Sequence, residues 1–422
     1  MNASIKIPTA RWYVTFLFPK YCHIVSNDVT EVVLSVLTSG HFLHKMNYTH
    51  IVLIPKKNDP KHVSDYRPIS LANVISMIVS KVLANWLKLI LPNVISDSRT
   101  AFVPNRLITY NTTVAYEVLH RMRNKRTGRK GHMAVKLDIS KAYDRVEWEF
   151  LRQIMLKLGI DDRWVRLAME TVCIASYSVL INGEPRGFIN PSRRIKQGDP
   201  LSPYLFLLCA EGLSSLLRKA VESKQLHEIL SCTNGVCISH LLFADDSFIF
   251  CEATLEEWQC LLHLLGCYEV ASGQEINRQK MSIFISRNTR SEVKADIQTL
   301  MGARVMENCE KYLGLPMVGG KSKVNTFKDI QEKITKRVMG WKEKFISKVG
   351  REILIKTIAQ AIHIYSMGIF RIPKALCDKI NSTLAWWGKQ RMRKKSTRSI
   401  GRNYVLQRSV VEWVFGISKL LI

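Results

Sequence analysis

The stretch HLLFADDSFIF, from His240 to Phe250, constrains this chain more than any other. Apolar runs flank two adjacent acids, Asp245 and Asp246, so the pattern is strand, tight turn, strand, with both carboxylates at the tip. Neighbouring carboxylates repel each other, and a divalent cation with oxygen ligands, typically Mg²⁺, offsets that repulsion while leaving positions open for phosphates. Most Asp-Asp pairs are solvated turns. This one lies between two apolar strands, with a third candidate carboxylate upstream.

The third acid is Asp138, in MAVKLDISKAYDRVEW (Met133 to Trp148). Met133, Val135, Leu137 and Ile139 alternate with Ala134, Lys136, Asp138 and Ser140, the period of a strand with one buried face. Asp138 is therefore expected off that apolar face, near the strand's end, where the chain turns into a helix-like stretch from Lys141 to Leu158. The bland alternative for Asp138 alone is a helix cap at a strand end. One carboxylate on a strand end and two on a nearby hairpin would hold two metal ions about 4 Å apart. Such a pair activates a hydroxyl and stabilises leaving pyrophosphate in an in-line displacement.

Charge points to a polyanionic partner. Among 422 residues, 62 Lys and Arg face 35 Asp and Glu, a formal charge of +27. Nucleic acid fits that excess better than a membrane surface, and by sequence no apolar run reaches the length expected of a spanning helix: YLFLLCA, Tyr204 to Ala210, stops at Glu211. With 47% hydrophobic residues the chain can bury a large core. Its ten cysteines form no C-x₂-C pair, which suits free thiols in a reducing compartment.

Along the chain, Ile75 to Ile90 carries a helical apolar stripe ended at Pro92, and Thr109 to Met122 reads as a second helix. RMRNKRTGRK, Arg121 to Lys130, holds six basic residues and no acid. Asn182-Gly183 predicts a two-residue hairpin turn inside Ser178 to Ile189. RRIKQGDPLSP, Arg193 to Pro203, opens a helix through Ala220, and Thr254 to Glu257 fits a capping box. Beyond about residue 320 the composition shifts to Lys-rich amphipathic helices, with a third helix from Pro373 to Trp387. Lys389 to Arg402 then holds seven basic residues and no acid.

Seven blocks occur in order: IVLIPKK (51–57), DYRPISL (65–71), AFVPNR (101–106), KLDISKAYDRVEW (136–148), QGDPLSP (197–203), SHLLFADD (239–246) and KYLGLP (311–316). Together they resemble the reverse transcriptase of LINE-type (non-LTR) retrotransposons, most closely the plant form. The resemblance implies an α+β right-hand polymerase with fingers, an antiparallel-sheet palm and a helical thumb. It divides the chain into an unmatched segment 1–20, fingers and palm 21–320, a thumb-like region 321–388 and a basic tail 389–422. It further implies an RNA-directed DNA polymerase that uses two Mg²⁺ ions, an RNA template, a DNA primer and deoxynucleoside triphosphates. Neither a membrane nor an obligate protein partner is implied, and work on chromosomal DNA would require the nucleus.

Carried over position by position, the resemblance makes Asp138, Asp245 and Asp246 the metal-binding acids. Ile139 would lend a backbone carbonyl to one metal. Tyr143 would be the ring that excludes a ribose 2′-hydroxyl. Gln197 and Gly198 would form the nucleotide-side turn, with Lys56 and Arg67 on the triphosphate. Lys280 would protonate leaving pyrophosphate, and Tyr312, Leu313 and Gly314 would grip the primer's 3′ end. Three departures stand out: Asn105 where glycine is usual, Tyr110-Asn111 where Asp-Asn is usual, and Met281 where serine is usual. With an N-terminal part that matches poorly, they suggest a truncated copy. The competing expectation is a catalytically inactive nucleic-acid-binding remnant.

Overall fold

In the computed structural model, the described residues are 9–231, 235–244, 246–301, 304–305, 311–316, 324, 327–342, 347, 350 and 353–389. The chain divides into two units, Met1–Gly319 and Gly320–Ile422. The first opens with helix α1 (Thr9–Ser39), then strands β1 (Tyr48–Pro55) and β2 (Tyr66–Leu71), and helices α2 (Val74–Val94) and α3 (Ile108–Asn124). Strand β3 (His132–Ser140) precedes α4 (Trp148–Lys157), α5 (Asp162–Cys173), the hairpin β4 (Ser176–Ile181) and β5 (Glu184–Ile189), and α6 (Ser202–Glu222). Short strands β6 (Ile229–Leu230) and β7 (Cys237–Ile238) lead to β8 (His240–Phe243), β9 (Asp246–Glu252), α7 (Leu255–Ser272), β10 (Glu275–Ile276) and β11 (Ser282–Ile285). Helix α8 (Ser291–Met301), β12 (Arg304–Val305) and the hairpin β13 (Lys311–Tyr312) and β14 (Leu315–Pro316) complete it.

Two sheets organise this unit. One runs β2-β1-β4-β5 and the other β12-β11-β3-β9-β8, with β10 also pairing β3. In the second sheet β3 pairs antiparallel with β9, β10 and β11, and β8 pairs antiparallel with β9. Strand β3 is covered on both faces over its first half. Met133, Val135 and Leu137 pack with Leu213, Leu217, Trp258 and Leu261 from α6 and α7, whereas Ala134 packs with Phe248, Phe250 and Leu119. The alternation in the sequence therefore marks one buried face correctly and misses that α3 covers the other. Where that second cover ends, Asp138 emerges half-exposed at the strand's C-terminal end.

Helix boundaries follow local chemistry. Asn73 caps α2 by accepting from the Ile75 amide, and Pro92 sits inside the last turn of a helix that ends at Val94. The stretch 141–147 is turn rather than helix, and α4 begins at Trp148. Lys141 there has φ +48°, which a continuing helix cannot accommodate. Helix α2 also corrects the expectation about membrane spans: its 21 residues are apolar enough to cross a bilayer. Its Val79, Leu83, Leu87 and Leu91 are buried in the main core, as in the core helix of a globular unit. In the second unit, α9 (Lys328–Lys342), α10 (Gln360–Met367) and α11 (Lys374–Lys389) share a core of Ile330, Ile334, Val338, Leu376 and Ile380.

Candidate active site

Asp138 and Asp246 are direct cross-strand partners in the β3–β9 ladder. Side chains at opposed antiparallel positions share a face, with Cβ atoms about 5 Å apart. Two acids 108 positions apart in sequence thus sit side by side. Phe243 pairs with Asp246, so only positions 244 and 245 separate β8 from β9 in sequence. Ala244 takes a left-handed φ of +50° there; Asp245 itself lies outside the described residues. A cation already meets this acidic edge: Lys280 Nζ lies 2.7 Å from Asp138 Oδ2. Lys280 belongs to a turn anchored on the same strand, since the Asn277 amide donates to the Asp138 carbonyl at 2.8 Å. Ile139 pairs with Ile276 and buries its side chain. Two carboxylates beside a strand carbonyl form an all-oxygen donor set, which suits a hard divalent ion, and the exposed lysine can swing away from it.

Tyr312 lies on the same side of the sheet, two positions further along. Its ring is fully buried and meets Phe248 edge-on at a centroid distance of 4.8 Å. Leu313 and Gly314 form the turn of the β13–β14 hairpin, at φ +50° and +81°. Of the three residues expected at a primer, Tyr312 is an anchor in the core and the other two form the outward turn.

Tyr143 stacks on Phe206 of α6, with ring centroids 5.2 Å apart and planes 14° from parallel. Its backbone is tied on both sides. The Ile195 amide donates to the Tyr143 carbonyl at 2.9 Å, and buried Gln274 donates to the Ala142 carbonyl at 2.8 Å. Asp144 and Arg194 form an ion pair at 3.2 Å, and the Arg194 guanidinium lies over the Tyr177 ring at 4.7 Å. Nothing in the sequence around Gln274 shows that it reaches position 142.

Gln197 and Gly198 meet the other sheet. The Ser70 amide of β2 donates to the Gln197 carbonyl at 2.8 Å. Gly198 has φ +107°, and a Cβ there would lie 3.3 Å from the Ser70 carbonyl oxygen, so the close approach requires glycine. Asp199 caps α6 by accepting from the Leu201 and Ser202 amides. Arg67 is exposed on β2 opposite Ile54 of β1. Lys56 follows β1, and its Nζ donates to the Ser64 carbonyl at 2.9 Å. The loop between them is fixed by Asp65, which accepts from the Lys61 and His62 amides and pairs with Lys57 at 2.9 Å. The Lys57 bond and those amides hold its carboxyl down to about 2.

A buried polar network that the sequence did not announce holds the acid hairpin's outer strand. Arg99 and Glu211, both about 1% exposed, form an ion pair at 3.4 Å. Ser98 binds β8 twice: its carbonyl accepts from the Leu242 amide at 3.1 Å, and its hydroxyl lies 2.9 Å from His240 Nε2. His240 also contacts Ser214 and Ser239, and burial with the nearby Arg99 charge pushes its imidazole down to about 3. Asn111 donates to the Leu242 carbonyl at 3.2 Å, so the Asn of Tyr110-Asn111 has a structural task while Tyr110 is exposed. Asn105 has φ +64°, a conformation that asparagine tolerates better than most residues. Arg106 donates to the carbonyls of Ile95, Ser96 and Arg99. Met281 is buried against the α7 side of the sheet. The three departures are thus accommodated.

Residues 54–317 match the family model described as "Reverse transcriptase (RNA-dependent DNA polymerase)". An uncharacterised mitochondrial protein of Arabidopsis thaliana is 53% identical over 76 residues, 18% of this chain and 62% of that protein. The transposon TX1 149 kDa protein of Xenopus laevis is 27% identical over 336 residues, 78% of this chain and 25% of that protein. The Pol polyprotein from the type-2 retrotransposable element R2DM of Drosophila melanogaster is 27% identical over 233 residues, 55% of this chain and 21% of that protein. The chain thus spans about a fifth to a quarter of the two transposon-encoded relatives.

Proposed function

The chain belongs to the reverse transcriptase family, and on that premise we propose that it is of the non-LTR retrotransposon branch and extends a DNA primer along an RNA template. The observation that carries this reading is the cross-strand pairing of Asp138 with Asp246 at the tip of the β8–β9 hairpin. Members of the family use divalent metal ions. Here Asp138 and Asp246, with Asp245 and the Ile139 carbonyl, would hold two Mg²⁺ ions. When bound, the ions supply Lewis-acid activation of the primer 3′-hydroxyl and charge neutralisation on the leaving pyrophosphate.

The protein's own groups bind and orient. Lys56 and Arg67 flank the mouth of the β1–β2 hairpin, where their charges suit a triphosphate. Gln197 and Gly198 would bring backbone close to the nucleotide, and Gly198, lacking a Cβ, lets that turn seat against Ser70 of β2. Tyr143, held flat against Phe206, presents a fixed wall to the sugar and leaves no volume for a 2′-hydroxyl. Lys280 stands at Asp138, within reach of a proton transfer to pyrophosphate oxygen. The Leu313–Gly314 turn, pinned by the Tyr312 ring, would meet the primer strand through its backbone. Residues 321–388 would act as the thumb, with basic helices following duplex phosphates.

The competing remnant reading drew on the departures at 105 and 110, and both are accommodated by the fold. The test is extension of a DNA primer on an RNA template with Mg²⁺, comparing the native chain with Asp245→Asn. Extension by the native chain that disappears in the variant supports polymerisation. Binding of primer–template with no extension in either would instead support the remnant.

A further inference from the structure

Lys196 is 4% exposed, and its hydrogen-bond partners among the described residues are neutral side-chain oxygens. Its Nζ donates to Asn47 Oδ1 and, at 3.3 Å, to Ser76 Oγ. Asn47 is fully buried just ahead of β1; it accepts from Ser76 Oγ at 3.2 Å and donates to the Thr171 carbonyl of α5 at 2.9 Å. One ammonium therefore ties the residue before Gln197 to the root of β1, the first turn of α2 and the end of α5. A buried cation held only by neutral oxygens is costly; burial pushes its pKa down to about 8, with Asp199 opposing. A methionine of similar length would fill the space without that cost. The charge therefore has a task other than packing.

The task follows from what lies on either side. Beyond Lys196, the Gln197 carbonyl takes the Ser70 amide of β2. Beyond Asn47, β1 runs to Lys56, and its partner β2 carries Arg67. We propose that Lys196 is a positioning residue that locks the Gln197–Gly198 turn in register with the β1–β2 hairpin, so that both sides of the nucleotide pocket form one rigid body. This rests on the reading of that turn and hairpin as the nucleotide site.

The test compares Lys196→Met and Lys196→Arg with the native protein by amide hydrogen exchange and by nucleotide kinetics. In Lys196→Met the Ser70 amide is expected to exchange about tenfold faster, the loss of one charge-assisted hydrogen bond. Amides within the β1–β2 ladder should keep their protection, and the melting temperature should hold or rise. Lys196→Arg, which keeps the donor, should recover part of the protection. The KM for deoxynucleoside triphosphate should rise about tenfold in Lys196→Met while kcat stays close to native. Ser76→Ala removes only one acceptor and should give a smaller change in the same direction at Ser70. Unchanged Ser70 exchange in folded Lys196→Met and Ser76→Ala, or faster exchange across the whole ladder, would overturn the proposal. The exchange measurement needs no turnover, so failure of the polymerase reading, seen as no extension by the native chain, is separate from failure here.

Discussion

Breaking the Arg99–Glu211 pair should unfold the first unit several degrees earlier and release the strand that leads to the acid hairpin. Both side chains are about 1% exposed, and their closest approach is 3.4 Å between Arg99 Nε and Glu211 Oε2. Arg99 Nε and Nη1 make no aligned hydrogen bond within the protein. Burial consequently pulls the guanidinium down to about 10 even with Glu211 beside it, a residual cost of roughly 3 kcal/mol. Glu211→Gln keeps the shape and removes the opposing charge. Leaving a buried charge without its partner costs about 3–5 kcal/mol. For a unit of this size, with an unfolding entropy of roughly 2 cal/mol/K per residue, that lowers Tm by about 5–8 °C. Arg99→Met with Glu211→Leu removes both charges, and the exposed Arg218 that also reaches Glu211 can turn to water. The double variant should lose less than either single one, a coupling of at least about 2 kcal/mol. Calorimetry of Glu211→Gln, and of the cycle formed by the native protein, Arg99→Met, Glu211→Leu and the double variant, decides it. Losses that add to within about 0.5 kcal/mol would refute the reasoning.

His240 gives a pH signature. Its folded value near 3 lies below the ordinary 6.5, so its contribution is present above 6.5 and lost as pH falls from there toward 3. By pH 4.5 the loss is about 3 kcal/mol; denaturant titrations should show His240→Asn losing less than the native protein over this interval. Gly198→Ala, forced to φ +107° with its Cβ 3.3 Å from the Ser70 oxygen, should cost about 1–3 kcal/mol and raise nucleotide KM, read by thermal denaturation and initial rates. Asn105→Gly should be close to neutral in a melting experiment, whereas Asn105→Val at φ +64° should cost about 1–2 kcal/mol.

How much was legible in the sequence varied with the range of the interaction. The apolar alternation from Met133 to Ile139 placed β3, and Asn182-Gly183 placed a turn that takes φ +53° and +89°, because both signals are local. The run after Lys141 looked helical because its apolar spacing continues, but the chain there must turn so that the carbonyls of 142 and 143 reach Gln274 and Ile195. The pairing of Asp138 with Asp246 depends on strand register between distant segments, which no local pattern encodes. Motif order supplied the acids as a set, and the ladder supplied their adjacency. Lys196, Arg99 and Glu211 look like ordinary surface charges in sequence, because burial of a long cationic side chain leaves no periodic trace. The burial of the Tyr312 ring against Phe248 is likewise a contact between distant segments that the local sequence does not signal.

The claim at the centre is that Asp138 and Asp246 bind cations together. Titration of Mn²⁺ into the protein bound to primer–template, followed by electron paramagnetic resonance, measures it without turnover. The native chain should bind in the micromolar to millimolar range expected of carboxylate sites, with affinity reduced by about tenfold or more in Asp138→Asn and in Asp246→Asn alike. Native-like Mn²⁺ binding in both variants, with primer–template affinity intact, would contradict the assignment.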